Sequence, residues 1–189
     1  MFAATVAYAL PKGSTTLIDR SADPVPNGDD GLDRIHVHLG SRTGDAFAFA
    51  TFMTNLAEKI SSDPAAMKVR LHLPDVYDNA KPAPPAPGVD HTVPDERRHI
   101  AVLELAFASP LARRQFYGGD LFQSTLSDQK AQISHATAFA VSGIYTYVRD
   151  KQLTTAGLRG SRQAQLIETL GAANQVSDDV RTLLHKGEL

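Results

Sequence analysis

Cysteine does not occur in the 189-residue chain. That absence excludes disulfides, thiolate nucleophiles, iron–sulfur clusters and cysteine-ligated zinc. It agrees with a cytoplasmic address. Long basic runs are missing too: 19 Lys and Arg are scattered among 21 Asp and Glu, for a formal charge of −2. Without a basic stripe interleaved with aromatics, neither nucleic acid nor an acidic membrane surface is an expected partner. No apolar run approaches the roughly 20 residues that span a bilayer. The opening "MFAATVAYALPKGS" carries no positive charge ahead of its short apolar run, so it makes a poor signal peptide. The expectation is a soluble, intracellular protein. Two chemical signatures are also missing. There is no Gly-x-Ser-x-Gly elbow, which disfavours a serine hydrolase. The stretch "GLRG" lacks the lysine and the spacing that cradle phosphate.

What is present suffices for a core, since 42% of the residues are hydrophobic. At this length a single domain over 1–189 is expected. An N-terminal strand and loop arm would run to residue 31, a core from 32 to 150, and a helical extension from 151 to 189.

Hydropathy patterning supplies the elements. "FAATVAYAL" alternates as a strand does, and the Gly/Pro/Ser/Asp-rich stretch from Pro11 to Asp33 reads as loop. In "RIHVHLG", Ile35, Val37 and Leu39 share one face and Arg34, His36 and His38 the other. Gly40 is expected to end this strand. Ser41, Thr43 or Asp45 can cap the helix that follows, whose buried stripe is Phe49, Phe52, Met53, Leu56 and Ile60. "MKVRLHLPD" is a second alternating strand, with Val69, Leu71 and Leu73 opposed to Arg70 and His72. A Pro-rich connector, Asn79 to Arg97, fits a lid, an arm or an insertion.

"HIAVLELAFAS" is the third strand. Glu104 lies there on the parity of Ile100, Val102 and Ala106. Ser109 and Pro110 form a helix start. This helical run is interrupted at Gly118 and Gly119 and resumes from Asp120 to about Gln129. "SHATAFAVSGIYTYVRD" reads as one long last strand, with Phe139, Val141, Gly143, Tyr145 and Tyr147 on one parity. Two C-terminal helices follow, capped by Ser161 and Ser177.

Without the first strand, the order is strand, helix, strand, strand, helix, strand. That is the α+β order of a ferredoxin-like βαββαβ sheet with its helices on one face. The opposite face then needs a cover, which a second subunit can supply. Helices pack on the Ile35/Val37/Leu39 side, so His36, His38, His72, Arg34, Arg70 and Glu104 converge on the other face. Such a set suits proton transfer, because imidazole titrates near neutrality and a guanidinium can hold an anionic oxygen. A half-buried carboxylate can orient an imidazole or have its own pKa raised. The competing readings are plain. The histidines can simply face solvent. A metal on His36 and His38 needs His72 or Glu104 as third ligand. Glu104 can be a structural partner of Arg34 or Arg70. His99 and His135 read as surface residues, and His91 and His185 carry no signal.

The strand–helix order from Arg34 to Val148 resembles the dimeric α+β barrel superfamily. The stretch "YTYVRDKQLTTAGLRGSRQAQLIETLGAANQ" is similar to the tails of EthD-like proteins. The resemblance implies a homodimer with a small-molecule pocket in the barrel. It also implies cofactor-independent acid–base chemistry, of lyase, cyclase, isomerase or decarboxylase type, on an aromatic or polyketide-like carbonyl compound. A pocket histidine (His36, His38 or His72) would work with Tyr145 or Tyr147. A non-catalytic ligand-binding or stress module, or a metal- or haem-dependent oxidoreductase of the same fold, is the alternative.

Overall fold

The computed structural model describes residues 8–10, 13–23, 25–76 and 98–170, apart from the side chains of 8, 9, 76, 161 and 164–170. The whole Pro-rich connector, Asn79 to Arg97, and the helix expected at Ser177 lie outside the described residues. The described residues group into two compact units. One combines those up to Ala22 with Gly31–Val141, and the other combines Asp23–Asp30 with those from Ser142 onward.

The first unit is built on a five-stranded antiparallel sheet. Its strands are β2 (Ser14–Asp19), β4 (Asp33–Ser41), β5 (Ala66–His72), β7 (Ala101–Phe107) and β8 (Ile133–Val141), in the order β2-β5-β7-β4-β8. Numbered among themselves, β8, β4, β7 and β5 read 4-1-3-2. This is the ferredoxin-like arrangement, an α+β fold. A short ladder of β1 (Tyr8–Ala9) with β6 (Asp75–Val76) completes the strands of this unit.

Helix α1 (Ala46–Ser61) starts where Asp45 accepts a hydrogen bond from the Ala48 amide, at 2.9 Å. Its buried face is Phe49, Met53, Leu56, Ala57 and Ile60. Those side chains pack with Ile35, Leu39, Val69, Leu71, Leu103, Leu105 and Phe107 of the sheet. Helix α2 (Pro110–Gly118) begins at Ser109, whose hydroxyl accepts from the Ala112 amide. It adds Phe116 to the same layer. The run breaks at Gly119 and continues as α3 (Asp120–Gln123) and α4 (Leu126–Gln132). The core therefore lies on the aliphatic side of β4, and the even-numbered residues of β4 face away from it.

Three expectations change. The stretch from Pro11 to Asp33 was expected as loop, yet it contains β2. "STTLID" is rich in β-branched residues and pairs with β5 as an edge strand, with an irregularity between Thr16 and Ile18. Gly40 does not end β4, which runs on to Ser41. A Cβ at Gly40 would overlap the His135 ring, so glycine makes room for a cross-strand neighbour. The last strand leaves the sheet at Val141. Ser142 and Gly143 break it, and β9 (Ile144–Tyr145) pairs instead with β3 (Asn27–Gly28). A Cβ at Gly143 would stand in van der Waals contact with the Gly28 carbonyl carbon, at 3.4 Å. Alternation signals a strand but not its partner.

In the second unit, β10 (Val148–Arg149) and β11 (Gln152–Leu153) form a hairpin. Its two turn residues, Asp150 and Lys151, both have positive φ. Helix α5 (Thr155–Leu170) begins before the expected Ser161 cap. Thr154 starts it, its hydroxyl accepting from the Gly157 amide. Among the described residues, no helix is long and apolar enough to cross a membrane.

One pair of substitutions in α1 tests this layering. Met53 is fully buried, whereas Phe47 is 84% exposed. Met53→Ala is expected to cost roughly 2–5 kcal/mol in urea unfolding, and Phe47→Ala to stay within about 0.5 kcal/mol.

Candidate active site

Register sets the face. His36 lies opposite Glu104 on β7 and opposite Phe139 on β8. Glu104 lies opposite Arg70 on β5, and Val102 lies between His38 and His72. Cross-strand partners share a side of the sheet. Arg34, His36, His38, Arg70, His72 and Glu104 therefore all project from the face away from α1. Lys68 joins them, opposite Ala106. Ser14, opposite His72, does so from the edge strand.

Glu104 is the centre of this face. It is 6% exposed and sits in the most buried strand of the sheet. Lys68 Nζ lies 2.9 Å from Oε1, and Arg34 Nη1 3.7 Å from the same oxygen. His72 Nε2 faces Oε2 at 3.6 Å. Burial alone would raise the pKa of this carboxyl. The hydrogen bonds from His72 and Lys68, with the charges of Lys68 and His36, outweigh burial and pull it down to about 2. Of the two roles considered for it, Glu104 takes orientation and charge: it is ionised at neutral pH, not held protonated. Arg70 faces it in register, but the Arg70 Nε is buried with no hydrogen-bond partner among the described residues.

The three histidines differ. His72 is engaged at both nitrogens, with Nδ1 2.7 Å from Ser14 Oγ and Nε2 toward Glu104. His36 and His38 are half-buried, and no hydrogen bond to either ring is formed among the described residues. Burial pushes the His36 imidazole below its ordinary pKa; Glu104 offsets part of this, and His72, Lys68 and Arg34 add to it. Burial, then His99, lowers His38 in the same direction. Both rings are neutral at pH 7 and have a free lone pair for a proton.

These rings line a cavity of about 290 Å³ with His72, His99, Val102, Leu10 and Pro74. His99, expected at the surface, stands edge-on to His38 with centroids 5.2 Å apart, and His135 lies 5.2 Å beyond it. Phe139 meets His38 from β8 at 5.1 Å. Five of the seven histidines thus gather on one face. Even so, no group of three or more His, Asp or Glu among the described residues is arranged to hold a metal ion.

Tyr145 and Tyr147 do not follow Phe139 on β8. Both belong to the second unit, where they are 53% and 55% exposed. Sequence reasoning missed Lys68 and Ser14. The parity of Arg70 and His72 pointed to Lys68 two residues earlier. Ser14 had no such signal, because its strand was read as loop.

No family model and no curated protein matches the sequence. Several solved structures resemble it at low identity. A provisionally named monooxygenase from Fusobacterium nucleatum shares 10% identity over 76% of this chain and 56% of its own, with a TM-score of 0.43. A DABB-family protein with a ferredoxin-like fold from Mesorhizobium loti shares 9% over 60% of this chain and 98% of its own, at 0.42. SnoaB, a cofactor-independent oxygenase from Streptomyces nogalater, shares 11% over 62% of this chain and 97% of its own, at 0.40. The strand order establishes the ferredoxin-like fold without them.

The Glu104 cluster has a pH signature. Its folded-state pKa lies below the usual 4.5, so its stabilisation is complete above that value and is lost as the pH falls through about 2. The shift corresponds to about 3 kcal/mol. Glu104→Gln is expected to be markedly less stable than the parent at pH 7. The gap should narrow progressively below pH 4.5, as read by chemical denaturation at each pH.

Proposed function

We propose that the protein is a cofactor-independent acid–base enzyme acting on a small aromatic or polyketide-like carbonyl compound in the histidine-lined cavity. The observation that carries this reading is the pair of neutral imidazoles, His36 and His38, free of hydrogen bonds and facing that cavity. One imidazole would take a proton from the carbon beside the substrate carbonyl. The electron pair would move to the carbonyl oxygen as an enolate, and the Arg70 guanidinium, on the same sheet face as the histidines, would hold it. The same imidazolium would return the proton at another carbon, giving isomerisation, or to the alkoxide formed when the enolate carbon bonds to a second carbonyl of the substrate, giving cyclisation. The resemblance of the C-terminal stretch to EthD-like proteins agrees with this reading, and so would a homodimer in which a second copy covers the histidine face. Phe139 is 51% exposed on that face. Light scattering is expected to return twice the 20.4 kDa chain mass, and a monomeric mass would remove the barrel from the proposal.

A second reading has one observation in its favour. Glu104 is locked by Lys68 and Arg34, as it would be in a ligand-binding module whose polar groups only orient the guest. Deuterium exchange separates the two without knowledge of the product. In D2O the protein is expected to speed incorporation at the acidic carbon of a 1,3-dicarbonyl or 2-acylphenol compound. His36→Ala or His38→Ala is expected to lower the rate by roughly 100-fold or more. Because burial depresses both imidazoles, the rate should rise with pH with a midpoint below 6.5. Binding of such compounds without exchange would favour the module.

A further inference from the structure

Ser14, His72 and Glu104 come from three adjacent strands, β2, β5 and β7, and meet in a row. A carboxylate held ionised only accepts hydrogen bonds, so the His72 Nε2 that faces it carries the hydrogen. Nδ1 then presents its lone pair, and the Ser14 hydroxyl donates to it at 2.7 Å. That is the polarity that activates a hydroxyl: carboxylate, imidazole, alcohol, each aimed at the next. Ser14 is half-buried, on the cavity side of the sheet. Just before it, the Gly13 amide donates to the Leu10 carbonyl at 2.9 Å, and Leu10 lines the cavity.

We propose that Ser14 is a nucleophile for acyl transfer from carboxylic esters with an apolar acyl group, with His72 as its general base and Glu104 as the positioning residue. In the first step the Ser14 oxygen bonds to the carbonyl carbon as its proton passes to His72 Nδ1. The carbonyl electron pair moves onto oxygen. Arg70, two residues before His72 on the same face, is the guanidinium within diagonal reach of that charge. The bond to the leaving alcohol then breaks, and the proton on Nδ1 goes to the alcohol. Water repeats the sequence on acyl-Ser14 and releases the carboxylic acid. No electrons are exchanged with any other reactant. A Gly-x-Ser-x-Gly elbow is not needed, because β2 delivers the hydroxyl from the sheet edge.

This activity uses Ser14 and does not depend on proton abstraction by His36 or His38, so either proposal can fail without the other. The test is labelling of the full chain with an alkyl fluorophosphonate, in which a Ser oxygen–phosphorus bond forms and fluoride leaves. One adduct per chain is expected, mapped to Ser14 by peptide mass spectrometry. Ser14→Ala is expected to abolish it, and His72→Gln to slow it at least 100-fold with unchanged circular dichroism. Ser61→Ala, whose hydroxyl is exposed and bonded to the Glu58 carbonyl, is expected to label as the parent does. No adduct on the folded parent overturns the proposal. So does an adduct on a different hydroxyl, or a rate in His72→Gln equal to the parent's.

Discussion

A carboxylate in the middle of an apolar strand is the constraint on which the histidine face depends. Glu104 stands in β7, whose neighbours on both sides are buried, and an unpaired charge there would cost several kcal/mol. The sheet answers by placing cations around it: Lys68 from β5, Arg34 from β4, and the Nε2 hydrogen of His72. These come from both flanking strands, so a one-residue slip of either strand would send its cation to the helix side and weaken the compensation of the Glu104 charge. The cluster therefore ties register to electrostatics. The hydrophobic core on the other face sets the same register through Val69, Leu71, Leu103 and Leu105.

The same cluster sorts the histidines by task. His72 is occupied at both nitrogens and presents no free lone pair to a ligand; what it does must pass through Ser14. His36 and His38 form no ring hydrogen bond among the described residues and are neutral, which gives the cavity two imidazoles next to a fixed row of charge. Lys68 and Arg34 also keep protons off His36, because a second positive charge beside them is disfavoured. The cavity wall combines Leu10, Pro74 and Val102 with four imidazoles.

Much of this was legible in the sequence, for identifiable reasons. Period-two alternation in "RIHVHLG" and "AVLELAF" put the histidines and Glu104 on one parity, and the aliphatic stripe of α1 said which side the helices take. The order of elements then implied the sheet. Pairing was not legible. Ser14 was hidden because its strand has Gly, Pro and Asp on both sides, and an edge strand needs only half a hydrophobic pattern. The tyrosines were misplaced because the alternation continues through Ser142 and Gly143, whereas the chain does not. His99 looked like a surface residue beside two arginines, and only the arrival of His38 from β4 and His135 from β8 encloses it. Side-chain ionisation was also out of reach: burial and cation pairing push Glu104 in opposite directions, and only distances decide between them.

The most direct measurement is a carbon-13 NMR titration of the Glu104 carboxyl in the intact protein, with Lys68→Met as comparison. A midpoint of about 2, moving upward in the variant, is the expected result. A midpoint at or above the ordinary 4.5 would mean that the carboxyl is not held ionised by its neighbours. Both the sorting of the histidines and the polarity of the Ser14–His72 contact would then be contradicted.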